Sequence, residues 1–186
     1  MLGVLKIGSA YVALNPAHPP DRLRSLMEDV DAEFALCSEK FQSLAAEVAP
    51  RTFCVGPATS YEDGSNDASD IKPDDHAFFL FTSGSTGKPK AIMIDHTAFC
   101  SSMRGHGETL CYQKGHRNLQ YTAYTSDVSM GEIFTSLTRG ATVCVPSDEE
   151  RLNDLAGAME RMHVSRLSGE WQLCFASFCA DIWCLG

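Results

Sequence analysis

Two textures of hydrophobic residues alternate along this chain. Short runs rich in Val, Ile, Phe and Tyr give way to segments whose apolar residues recur every three or four positions. Residues 11–14, Tyr-Val-Ala-Leu, read as a strand ended by Pro16. Pro19-Pro20-Asp21 then opens a helix through about residue 29, with Leu23, Leu26, Met27 and Val30 on one face. Residues 33–37 predict a second strand, 41–48 a second helix and 52–55 a third strand. This β-α-β-α-β order predicts an α/β fold whose sheet is parallel or mixed and covered by helices.

Between residues 56 and 75 the pattern lapses. Pro57, Gly64 and Pro73 stand among Glu62, Asp63, Asp67, Asp70, Asp74 and Asp75, which reads as a solvated connector. The alternation then resumes, with strands over 77–81 and 91–94 and a helix over 96–111. Further on, a strand over 119–124 precedes a helix over 129–137, closed by Gly140, and a strand over 141–145. Residues 148–162 predict a last helix, capped by Ser147 with acids in its first turn. Residues 166–186 break the composition: both tryptophans and three of the 8 cysteines fall there, without clear periodicity. They read as a divergent tail behind a domain of residues 1–165.

A length of 186 residues favours one domain, or most of one. The net charge of -9 argues against nucleic acid or an anionic membrane surface as partner, though one loop can still bind phosphate. No basic segment followed by a long apolar stretch opens the chain, and no run approaches the roughly 20 apolar residues of a membrane span. A cytoplasmic location is therefore expected. Cys37, Cys54, Cys100, Cys111 and Cys144 sit mostly in apolar segments and read as buried reduced thiols. No CxxC pair or Cys/His cluster has zinc spacing, so no metal site is assigned.

The densest chemistry lies in Phe79-Leu-Phe-Thr-Ser-Gly-Ser-Thr-Gly-Lys-Pro-Lys-Ala91. Thr82, Ser83, Ser85 and Thr86 offer hydroxyls. Gly84 and Gly87 let successive amides turn toward one anion, and Lys88 and Lys90 add positive charge. The pattern is neither a Walker loop, since Thr82 and Pro89 occupy required Gly and Ser/Thr positions, nor GxGxxG. On composition alone, a polar surface turn is nearly as good a reading as a phosphate site.

The order Thr-Ser-Gly-Ser-Thr-Gly-Lys-Pro-Lys, followed by His96, closely resembles the phosphate loop of AMP-forming adenylating enzymes. Leu5-Lys-Ile-Gly-Ser-Ala-Tyr-Val-Ala-Leu-Asn-Pro16, with Pro20 and Arg22, resembles an earlier motif of adenylation domains of nonribosomal peptide synthetases, which build secondary metabolites. Asp127-Val-Ser-Met-Gly-Glu-Ile-Phe134, then Leu137 and Gly140-Ala-Thr-Val143, resembles the next motif downstream. The resemblance implies a partial N-terminal domain of the adenylating-enzyme fold, with mixed sheets flanked by helices. It also implies use of ATP and Mg²⁺ to turn an amino acid into an aminoacyl-adenylate. The acyl group then passes to the phosphopantetheine arm of a carrier domain.

By the same resemblance, Thr82, Ser83, Gly84, Ser85, Thr86, Gly87 and Lys90 hold the ATP phosphates, while Lys88 reads as a solvated charge. Asp127 pairs with the substrate ammonium, or else caps a helix beginning near Ser129. Val128 and Gly131 match side-wall positions of the substrate pocket. His96 either contacts substrate or packs at a strand-to-helix junction. Ser126 stands where the family carries an aromatic residue, and Ala91 where it carries glycine.

The resemblance stops near Ser165, before the motifs that grip adenine and ribose and before the small domain with its catalytic lysine. At the other end, Met1 falls inside a helix expected to pack on an earlier segment. The expectation is a truncated adenylation domain, inactive alone and carrying no catalytic residue of its own. A fragment of an acyl-CoA or aryl-acid ligase, and a non-catalytic phosphate-binding remnant, are the alternatives.

Overall fold

The computed structural model describes residues 1–56, 70–82 and 89–167. The chain divides into two compact units, Met1–Thr97 and Ala98–Gly186.

In the first unit, α1 (Leu2–Lys6) leads to β1 (Tyr11–Val12), where the sequence predicts four strand residues. Helix α2 (Pro20–Glu28) starts on Pro20, whose missing N–H costs nothing in a first turn. It buries Leu23, Leu26 and Met27, while Val30 lies just past its end and is half-buried. Strand β2 (Phe34–Cys37), a 3₁₀ turn (Glu39–Phe41), α3 (Gln42–Val48) and β3 (Arg51–Cys54) form a parallel β-α-β unit. Leu23, Met27 and Val48 join α2 to α3, with Leu14, Ala35 and Leu44 packed around them. Strand β4 (His76–Thr82) pairs parallel with β1 and antiparallel with β5 (Lys90–Asp95), giving a mixed sheet of order β1-β4-β5. Within it the Tyr11 ring stacks on Phe78 at 5.9 Å.

Helix α4 (His96–Thr109) follows directly. In the second unit, β6 (Arg117–Leu119) and β7 (Thr142–Cys144) pair in parallel. Three consecutive helical segments join them: α5 (Asp127–Met130), a π-helical turn (Gly131–Thr135) and α6 (Ser136–Thr138). Gly140, at φ 67°, adopts the left-handed conformation that ends this helix, as the sequence predicts. Phe99 and Phe134 meet edge-to-face at 5.0 Å, and Met103, Leu119, Met130 and Ala158 are also buried.

Three expectations are corrected. The strand placed at 119–124 ends at Leu119, because the amides of Tyr121 and Thr122 turn away from a ladder to a buried carboxylate on Glu132. The helix placed at 148–162 is two helices, α7 (Asp148–Asn153) and α8 (Leu155–Arg161). Asp154 breaks it at φ -149°, and its carboxylate accepts from the Gly157 amide to cap α8. The cysteines are less buried than expected: Cys144 is buried, Cys37 and Cys54 are half-buried, and Cys100 and Cys111 are exposed. The tail lies outside the described residues from 168 onward. Arg166, at its expected start, still bridges to Asn118 in parallel.

Ser147 caps α7 as predicted, in a reciprocal box with Glu150. The Arg161 hydrogen bond, then the Ser147 backbone and hydroxyl, hold the Glu150 carboxyl down at about 2. A carboxyl held low stabilises the fold fully above its unfolded pKa, and that contribution disappears as pH falls toward 2. Arg161→Ala is therefore expected to move the Glu150 titration up toward the ordinary value of about 4.3, read by NMR. An unmoved titration would contradict the pairing.

Candidate functional site

In the first unit, hairpin register sets the ends of the hydroxyl-glycine loop. Thr82 and Lys90 are antiparallel partners, so β4 and β5 deliver both to one end of the hairpin, and both are exposed. Ser83, Gly84, Ser85, Thr86, Gly87 and Lys88 lie outside the described residues. His96 sits beyond the opposite end of β5, next to Asp95, which pairs with His76. Six residues at a strand rise of ~3.3 Å place it roughly 20 Å along the chain direction from Lys90. The structure therefore sets His96 and Lys90 at opposite ends of β5. Its backbone amide donates to the Asp75 carbonyl at 3.0 Å, and the Thr97 amide and hydroxyl each donate to the Pro73 carbonyl at 3.0 Å. These bonds tie the strand-to-helix junction to the preceding turn. His96 Nε2 is shielded from solvent and has no hydrogen-bond partner among the described residues.

In the second unit, Asp127, Val128 and Gly131 share one helical stretch, with Asp127 and Gly131 four residues apart on one face. The cap is Ser126, not Asp127: the helix begins at Asp127, and the Val128 amide donates to Ser126 Oγ at 3.3 Å. A hydroxyl can accept that bond where an aromatic side chain could not. Asp127 Oδ1 accepts from the Val128 amide at 2.8 Å and from the Ser126 hydroxyl at 3.3 Å. Its Oδ2 has no such partner among the described residues, and the side chain is exposed. Val128 is 42% exposed. A Cβ added at Gly131 would lie 3.8 Å from His106 Nδ1, an ordinary contact, so the imidazole packs beside this helix without crowding it.

The same helical stretch carries a group that spacing did not reveal. Glu132, in the π-helical turn, is 1% exposed. Its Oε2 accepts from the Tyr121 amide at 3.1 Å, the Thr122 amide at 3.2 Å, the Thr122 hydroxyl at 2.8 Å and Gln120 Nε2 at 3.2 Å. Arg151 extends the network, donating to the Tyr121 carbonyl at 2.8 Å and to Gln120 Oε1 at 3.2 Å. The network holds residues 120–122, which lie upstream of Ser126 and Asp127. Spacing gave no signal for it: at helical periodicity Glu132 falls on the side of the predicted helix opposite Met130 and Phe134.

Among the described residues, no group of three or more His, Cys, Asp or Glu could hold a metal ion. No described helix is long and apolar enough to cross a membrane.

The family model described as AMP-binding enzyme matches residues 1–169. Nonribosomal peptide synthetase GRA1 of Gibberella zeae is 56% identical over 167 residues, 88% of this chain and 2% of that protein. Nonribosomal peptide synthetase 1 of Aspergillus fumigatus is 41% identical over 171 residues, 90% of this chain and 3% of that protein. The chain thus spans a few per cent of the length of these relatives. Among solved structures, the nonribosomal peptide synthetase FmoA3 in its α-methyl-L-serine-AMP-bound form superposes with a TM-score of 0.72 at 24% identity. That match covers 87% of this chain and 18% of the other. ATP-bound MatB from Rhodopseudomonas palustris gives 0.66 at 19% identity, covering 83% of this chain and 34% of the other. The mixed β1-β4-β5 sheet, the helices around it and the β6-β7 unit are thus an N-terminal part of the adenylating-enzyme fold. By the match over residues 1–169, the chain belongs to the AMP-binding enzyme family.

Proposed function

We propose that this segment serves amino-acid activation in nonribosomal peptide synthesis, with the first unit holding ATP phosphates and the second supplying a carboxylate for the substrate's ammonium group. The observation that carries the reading is the β4–β5 pairing, which sets Thr82 opposite Lys90 at the foot of the hydroxyl-glycine loop. Hydroxyls, freely turning amides and a lysine make a donor set suited to a polyphosphate. Residues 82–90 contain no carboxylate, so Mg²⁺ would be carried by the phosphates themselves. ATP, when bound, would supply its adenylyl group to the substrate carboxylate: the carboxylate oxygen bonds to the α-phosphorus, the α–β phosphoanhydride bond breaks, and pyrophosphate is the leaving group. Thr82 and Lys90 orient the leaving phosphates and offset their charge. We assign His96 to the strand-to-helix junction rather than to the phosphates, on the strength of its distance from Lys90.

For the substrate's other end, Asp127 presents an exposed carboxylate with Oδ2 unengaged, one helical turn from Gly131. An ammonium is the complementary group. A carrier domain with a phosphopantetheine arm would receive the acyl group. The chain spans about a third of the length of MatB, and we assign the adenosine contacts and the acid-activating chemistry to the rest of the fold. The 186 residues alone are therefore expected to bind nucleotide weakly and not to turn over.

Calorimetric titration of the chain with Mg·ATP tests the phosphate assignment. Weak binding is expected, lowered about tenfold in Lys90→Ala through loss of a charge-assisted contact of about 1.5 kcal/mol. Equal affinity in the variant would remove Lys90 from the site. Absence of binding by the wild-type chain would sink the phosphate-holding role.

A further inference from the structure

The β2–β3 pair places two thiols side by side. Cys37 and Cys54 are register partners at the ends of parallel strands, and both are free and half-buried. They lie on the same face as Ala35 and Thr52, while Phe34, Leu36 and Phe53 point to the exposed face. Neighbouring strands lie roughly 4.8 Å apart. That separation is inside the Cα···Cα range of about 4.4–6.8 Å that a disulfide spans. We propose that Cys37 and Cys54 form a vicinal dithiol, a modification site that closes reversibly to a disulfide by exchange with a low-molecular-weight disulfide.

The exchange balances within the pair. One cysteine thiolate attacks a sulfur of the small disulfide, forming a mixed disulfide and releasing one small thiol. The second cysteine gives up its proton and attacks the protein-side sulfur, releasing the other small thiol. Two protein thiols lose two electrons and two protons, and one small disulfide gains them. Burial and the adjacent Cys54 push the Cys37 thiol up, which favours the reduced pair until an oxidant is supplied. Thiol exchange is also the chemistry left to these sulfurs, since no third metal ligand joins them among the described residues. The link would fix the end of β3 to the end of β2, around the turn that carries α3.

Peptide mapping of the 186-residue chain tests the site directly. The native chain is incubated with oxidised glutathione, blocked with N-ethylmaleimide and cleaved with trypsin. Cys37 falls in peptide 25–40 and Cys54 in peptide 52–90, because the Lys72–Pro73 and Lys88–Pro89 bonds resist cleavage. The expected result is a 25–40/52–90 linked species that dithiothreitol reverses. Cys54→Ser should instead hold a glutathione adduct on Cys37 or leave it reduced, with no linked species. The exposed Cys100 and Cys111 serve as internal controls for oxidant access. Adducts on those two with no 25–40/52–90 link would overturn the proposal, as would a link that forms only after denaturation.

Discussion

Glu132→Ala is expected to destabilise the Ala98–Gly186 unit by about 3–5 kcal/mol, among the largest effects a single substitution can have here. The carboxylate is 1% exposed and receives two backbone amides, a hydroxyl and a side-chain amide. Removing it leaves the Tyr121 and Thr122 amides and the Thr122 hydroxyl buried or half-buried without their acceptor. It also opens a cavity under the π-helical turn. Glu132→Gln keeps the volume and one acceptor oxygen but gives up the charge, so about 1–2 kcal/mol is expected. Urea unfolding of wild type and both variants checks the order. Equal midpoints for wild type and Glu132→Ala would mean that the network contributes nothing to stability.

The second large effect concerns chemistry. In a polypeptide that joins this segment to the rest of the fold, Asp127→Ala is expected to lower kcat/KM for the amino acid about 100-fold. That corresponds to about 2.7 kcal/mol for truncating one partner of a desolvated charge pair. The loss should fall on the amino acid and leave the KM for ATP unchanged. A general packing defect would lower both. Asp127→Asn, isosteric but neutral, separates charge from shape: recovery by asparagine would assign the site to packing. Because Ser126 rather than Asp127 caps the helix, Asp127→Ala should cost little stability, so activity and folding can be read apart.

Much of the fold was legible because its signals are local. The β2-α3-β3 unit follows from alternation and helical periodicity that need no distant partner, and the Ser147 box and Gly140 each announce a helix end in four residues. Long-range demands erased the signal elsewhere. Residues 120–124 have strand composition, yet a carboxylate ten or so residues downstream captures their amides more firmly than a neighbouring strand would. A continuous helix over 148–162 fits the periodicity equally well. Only the competition of the Asp154 side chain for the Gly157 amide ends it early.

The site divides in the same way. Motif order singled out Thr82 and Lys90 as candidates, and the structure adds that they are register partners. Asp127 was singled out as a candidate too, but its alternative role as a cap was not resolvable from a sequence in which Ser126 and Asp127 are both good caps. Glu132 stayed hidden because half of its donors are backbone amides, which every residue carries, and all lie ten or more positions upstream. Cys37 and Cys54 stand 17 positions apart, and only parallel register brings them together.

The most direct test is ATP–pyrophosphate exchange by a polypeptide carrying this segment in the complete fold. Amino acids would be compared with the same acids lacking the α-amino group. The account predicts exchange with at least one amino acid, none with its deaminated counterpart, and loss of exchange in Asp127→Ala. Exchange driven by fatty or aryl acids, with no amino acid active, would contradict it.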